Sequence, residues 1–91
     1  MSFRSRETER IWHGSFSRKL PRDIRETALR KLRMLNNAKV LRDLAVPPNN
    51  RLEALRGGRA GQHSIRINDQ WRICFRGTDG GASDVEIIDY H

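Results

Sequence analysis

The chain has 91 residues, room for one small domain spanning 1–91; a domain of that size buries roughly 60–65% of its unfolded surface. Hydrophobic residues make up 36% of it and charged residues 32%, which is polar for a globular chain, yet the apolar positions are too periodic for disorder. The net charge of +7, from 18 Lys and Arg against 11 Asp and Glu, points to a polyanionic partner. No apolar run is long enough to span a membrane and no leader-like stretch opens the chain, so the expected location is the cytoplasm.

The charge is unevenly placed. All 18 basic residues lie within 1–76, and all but Lys19, Lys31 and Lys39 are arginine. Residues 77–91 carry only the acids Asp79, Asp84, Glu86 and Asp89. Arginine suits planar, two-pronged binding of phosphate, so nucleic acid is the simplest partner; the bland alternative is a basic surface with no specific partner. Cys74 is the single cysteine, which excludes an internal disulfide, and its place in an alternating run reads as strand packing. His13, His63 and His91 lack metal-ligand spacing among themselves or with Cys74. A P-loop, a dinucleotide fingerprint, a metal motif and a serine elbow are all missing, so no cofactor is expected.

In chain order, residues 2–5 suit a short first strand and Arg6–His13 a helical turn. Pro21 stands where a first helical residue belongs, Asp23 and Glu26 follow in the first turns, and Arg30, Lys31 and Arg33 lie toward the end, as the helix dipole favours. Ile24, Ala28, Leu32 and Leu35 make a core-facing stripe, and Asn36-Asn37 ends the helix. Val40–Leu44 reads as one more turn, stopped by Pro47-Pro48. Arg51–Arg56 alternates as a short strand or loop, with Glu53 and Arg56 either an exposed ion pair or an acid–base group and a phosphate clamp. Arg59 lies among glycines that allow close backbone approach, which makes it a candidate phosphate contact.

Strands follow at 63–67 and 71–76, then a glycine-rich loop at 77–83 and a last strand at 84–90. Helices first and an antiparallel three-strand meander after them make an α+β domain. Ile65 and Ile67 must share a face with Trp71, Ile73 and Phe75, which demands a three-residue loop at 68–70. That register sets Ile67 opposite Trp71, Arg66 opposite Arg72, Ile65 opposite Ile73, Cys74 opposite Ser64 and Arg76 opposite Gln62. Two arginines face to face repel. Either an anion sits between them, or acids from the last strand or the loops neutralise them, with Glu86 one that could lie near Cys74 on that face. The chain closes on Asp89-Tyr90-His91: an acid, a ring and hydroxyl for stacking, and a group that titrates near neutrality. Such a tripeptide is either a solvated tail or part of a site. Metal-free RNA cleavage by the ribose 2′-hydroxyl needs a base, an acid and cations at the phosphate, and all three are available.

The stretch from Arg51 to Ile73, with its glycine–arginine loop and its Ser64-Ile65-Arg66-Ile67-Asn68…Trp71-Arg72-Ile73 hairpin, together with Asp89-Tyr90-His91, resembles HigB toxins of the RelE/ParE superfamily. The resemblance implies a RelE-like fold and cofactor-free cleavage of mRNA in the A site of the 30S ribosome. It implies a HigA-like helix-turn-helix antitoxin, with operator DNA bound only through the complex. Asp89, Tyr90 and His91 match the catalytic tripeptide, and Arg72 the strand arginine at the scissile phosphate. Arg56 stands where a basic residue occurs; Glu53 falls where some members have a catalytic histidine, leaving Glu53 or His91 as the base. Arg56, Arg59, Arg66 and Arg76 are the expected RNA contacts. Two rival functions follow from the same features: a ParE-like topoisomerase-binding toxin, against which the terminal tripeptide argues, and a non-catalytic RNA- or ribosome-binding module.

Overall fold

The computed structural model describes residues 1–90. Helix α1 covers Arg6–Trp12 and helix α2 covers Arg25–Asn37; strands β1 to β4 are Glu53–Ala54, His63–Arg66, Trp71–Thr78 and Gly81–Asp89. The strands form one antiparallel sheet in the order β1-β2-β3-β4. This is the expected α+β arrangement, helices on one face of a sheet. It has one strand more than the meander, because Glu53 and Ala54 pair with Ser64 and His63.

The core lies between α2 and the sheet. Ile24, Ala28, Leu32 and Leu35 of the α2 segment pack with Ile65, Ile73, Phe75 and Ile87, all buried. Each fully buried aliphatic or aromatic side chain contributes about 1.5–3 kcal/mol. Pro21 lies just outside the helical segment rather than at its first residue: it caps a 3-10 turn at Arg22–Ile24 that runs into α2. Further 3-10 turns at Leu41–Leu44 and Pro48–Asn50 carry the chain to β1.

The hairpin has the register demanded by the alternation: Arg66 opposite Arg72, Ile65 opposite Ile73, Ser64 opposite Cys74. Its loop closes as an Asx turn, with Asn68 Oδ1 accepting from the N–H of Gln70 and of Trp71, both at 2.8 Å. The glycine-rich loop expected at 77–83 is mostly strand. Trp71–Thr78 and Gly81–Asp89 extend into it and leave a tight turn at Asp79-Gly80, where Gly80 takes φ +86°. A bulge then sets Asp84 and Val85 together opposite Phe75, with Asp84 at φ +53°.

The outer edge of β4 is covered. Residues 2–4 run parallel to it: the Val85 N–H donates to the Ser2 carbonyl at 3.0 Å, and Arg4 N–H to the Val85 carbonyl at 3.0 Å. One step along, the Ile87 N–H donates to Thr8 Oγ1 at 2.9 Å, from α1. Ser5 starts α1 by accepting the Thr8 N–H on its hydroxyl, so one short segment caps a helix and closes a sheet edge.

Candidate active face of the sheet

The pleat sends Ser64, Arg66, Arg72, Cys74 and Arg76 to the side away from α2, joined there by Glu53 from β1 and Glu86 from β4. Arg72 sits at the centre of one end. Its side chain is 8% exposed, and its nitrogens are braced: Nε donates to Ser64 Oγ at 2.8 Å, Nη2 to the Arg51 carbonyl at 2.5 Å and to the Ser64 carbonyl at 3.2 Å. Arg51 offers that carbonyl from a left-handed conformation, φ +43°. Nη1 makes no hydrogen bond among the described residues and lies 4.0 Å from Glu53 Oε1. The Tyr90 ring centroid is 5.6 Å from the guanidinium carbon, with Tyr90 anchored by its N–H to the Gln70 carbonyl at 2.7 Å. A fixed guanidinium whose one nitrogen without a hydrogen bond faces a carboxylate at 4.0 Å, beside a half-exposed phenol, can hold an anion.

The repulsion between Arg66 and Arg72 is relieved by acids, one from the hairpin loop as one alternative allowed and one from β1. Arg66 turns to Asp69 in its own loop, Nη2 to Oδ1 at 2.5 Å, while Arg72 faces Glu53. Glu86, the acid expected to neutralise them, pairs instead with Arg59 at 3.1 Å. The Arg66 guanidinium holds the Asp69 carboxyl below the usual carboxylate range, first through this hydrogen bond and then through its charge. The expected Glu53–Arg56 pair is not among the ion pairs of the described residues, and Arg56 is exposed.

The second half of the face lies under the glycine–arginine loop. Arg59 Nη1 reaches both Glu86 Oε1 and Gln62 Oε1, so it is tied to protein carboxylate and amide rather than left open. Arg76 pairs with Asp84 at 3.5 Å and lies against Gly61. Gly61 holds φ +90°, a conformation that strains any other residue, and a Cβ there would also push the flexible Arg76 guanidinium aside from 2.7 Å. Cys74, between Ser64 and Glu86, is wholly buried. Burial pushes its thiol up, with Glu86 acting the same way and Arg59 and Arg72 against it. It packs the interior of this face, as its alternation implied.

Of the expected catalytic residues, Arg72, Glu53 and Tyr90 are thus brought together, with Arg66 alongside. Asp89 stands opposite Trp71, where its Oδ2 accepts from Gln70 Nε2 at 3.0 Å. His91 lies outside the described residues. Two residues outside the expected set also support this face. Lys31, read as a dipole partner, is buried and donates to Asn50 Oδ1, while Asn50 Nδ2 donates to the Leu44 carbonyl at 3.1 Å. This pair fastens α2 to the turn that precedes Arg51. Burial lowers the Lys31 pKa, as do the charges of Arg30 and Arg66. The signal lay in the spacing: position 31 falls on the same stripe as Ile24, Ala28 and Leu35. Among the described residues no cluster of His, Cys, Asp and Glu could hold a metal ion, and no helix is long and apolar enough to cross a membrane.

A small basic α+β protein, with one sheet face packed by helices and the other built around a braced arginine, is the class that these features define. The family of RelE-like toxins of the type II toxin-antitoxin system HigB matches residues 1–91. Toxin HigB-1 of Vibrio cholerae is 43% identical over 65 residues, which cover 71% of this chain and 68% of that one. An uncharacterized protein of Haemophilus influenzae is 33% identical over 64 residues, covering 70% of this chain and 63% of its own length. The chain belongs to the HigB-like toxins, within the RelE-like toxins of type II toxin-antitoxin systems.

Proposed function

We propose that this toxin is an endoribonuclease that cuts messenger RNA in the ribosomal A site and is neutralised by a HigA-like helix-turn-helix antitoxin, through which alone it meets operator DNA. The setting is the cytoplasm, where ribosomes and messenger are. The observation that carries the reading is Arg72: nearly buried, triply braced and left with one nitrogen free beside Glu53 and Tyr90.

The ribose supplies its own nucleophile. Its 2′-oxygen attacks the adjacent phosphorus, the bond to the 5′-oxygen breaks, and a cyclic phosphate and a 5′-hydroxyl result. Arg72 Nη1 holds the phosphate and stabilises the added negative charge. Glu53 accepts the 2′-hydroxyl proton, and His91, supported by Asp89, returns one to the departing 5′-oxygen. Tyr90 offers its ring to a codon base. Arg56 and Arg66 take flanking phosphates; Arg59 and Arg76 do so at the far end, exchanging Glu86 and Asp84 for RNA.

Single-turnover cleavage on programmed ribosomes tests the assignment. Removing one well-placed electrostatic donor costs roughly 10²–10³-fold in rate. Arg72→Ala is expected to fall by about that factor, and Arg72→Lys, which keeps charge but lacks the fork, guards against a folding defect in the alanine variant. Wild-type rates in both would remove Arg72 from the mechanism.

A further inference from the structure

The carboxylates are not shared evenly among the arginines. On the sheet face just described, Arg59, Arg66, Arg72 and Arg76 each meet one. Across the core, around α2, Arg18, Arg22, Arg25, Arg30 and Arg33 take part in no ion pair among the described residues. Much of the net charge of +7 therefore weighs on the helical side, opposite Arg72.

That side also carries Phe16, which is 56% exposed, more so than Tyr90 at 43%. The ring is held by guanidinium groups rather than by the core: the Arg25 carbon is 4.2 Å from its centroid and the Arg22 carbon 5.0 Å. Arg25 is itself fixed, with Nε donating to the Ser15 carbonyl at 3.4 Å and Nη2 to the Gly14 carbonyl. Ring and guanidinium planes make a prepared surface of the kind on which nucleobases stack. Beside it runs an open groove of about 570 Å³ lined by Arg25, Glu26, Thr27, Leu29, Arg30 and Arg33. Leu29 is its one apolar side chain, too little for a protein interface core, whereas three guanidinium groups against one carboxylate suit a phosphate backbone.

We infer that this face is a second RNA-binding surface, separate from the Arg72 site. Its occupant is a folded RNA that stacks an unpaired base on Phe16 and lays its backbone along Arg30 and Arg33.

The test is fluorescence anisotropy of the full chain with two labelled RNA hairpins, one fully paired and one carrying a single bulged adenosine, at several salt concentrations. Phe16→Ala is expected to weaken the bulged hairpin about ten-fold, the loss of one stacked base, and to leave the paired hairpin unchanged. Phe16→Trp restores the bulged hairpin. The double change Arg30→Ala, Arg33→Ala weakens both hairpins and lowers the slope of log affinity against log salt by about one per arginine. Unchanged thermal melting checks that the variants fold. The inference is overturned if Phe16→Ala binds the bulged hairpin as tightly as wild type. It is equally overturned if wild type binds neither hairpin, which would make this a protein-facing surface. Neither result bears on the Arg72 assignment, which is read from cleavage.

Discussion

Arg66 and Arg72 share a register position and a charge, yet each has its own acid. For Arg66 the acid is local, and the consequence can be measured. Because Arg66 depresses the Asp69 pKa, whatever Asp69 contributes to stability is present above its ordinary value of about 3.9 and fades as pH falls through its lower folded value. Arg66→Ala should raise the Asp69 titration, followed by carboxyl NMR, into the ordinary range. An unmoved titration would mean that Arg66 is not its partner in solution. Cys74 gives a second check at this scale. Wholly buried and with its thiolate disfavoured, it should resist a disulfide-exchange reagent in native protein and react at the rate of global opening. Prompt reaction would contradict its burial.

Among the elements, the segment 2–12 does more than its length suggests, since it closes the open edge of β4. Thr8→Val keeps the shape of the side chain but leaves the Ile87 N–H without an acceptor, a loss of about 1–3 kcal/mol by chemical denaturation. A change within error would show that water replaces the hydroxyl. The Lys31–Asn50 brace between α2 and the turn before Arg51 predicts a pH dependence. A lysine whose folded pKa lies below about 10.4 binds fewer protons folded than unfolded in that window, so its contribution to stability rises with pH. Denaturation at pH 8 and pH 10 should show wild type gaining on Lys31→Met at the higher pH; parallel behaviour would contradict the buried placement. Glu53 explains why this region was hard to foresee. Alternation at Arg51–Arg56 shows that a strand is possible but not which neighbour it joins, and only its pairing with Ser64 brings Glu53 to Arg72. The β2–β3 register was legible because a one-residue slip would have put Ile65 and Ile67 in water. The bulge at Asp84 was not, because Gly77, Gly80 and Gly81 look like a loop when read locally and become strand only through pairing.

On the scale of the whole molecule, the sheet divides two kinds of charge. One face sets arginines against carboxylates and keeps one nitrogen of a braced guanidinium without a hydrogen bond; the other side, among the described residues, leaves arginines around α2 outside any ion pair. The α+β layout, the arginine-rich face and the candidate residues Arg72, Glu53 and Tyr90 could be traced to alternation and motif. Phe16 could not, since nothing in its neighbourhood in the chain announces that Arg22 and Arg25 will fold back over its ring. Two-sidedness of this kind suits a protein that acts on one RNA strand while embedded in a larger polyanion. Under the proposed function the cut depends on the ribosome. Purified toxin should therefore be incubated with a defined messenger, free and on programmed ribosomes, and the new 5′ ends mapped. Cuts are expected only with ribosomes, within the A-site codon, bearing 5′-hydroxyl ends. Equal cutting of the free messenger would contradict ribosome dependence, and folded toxin that cuts in neither condition would contradict the nuclease assignment itself.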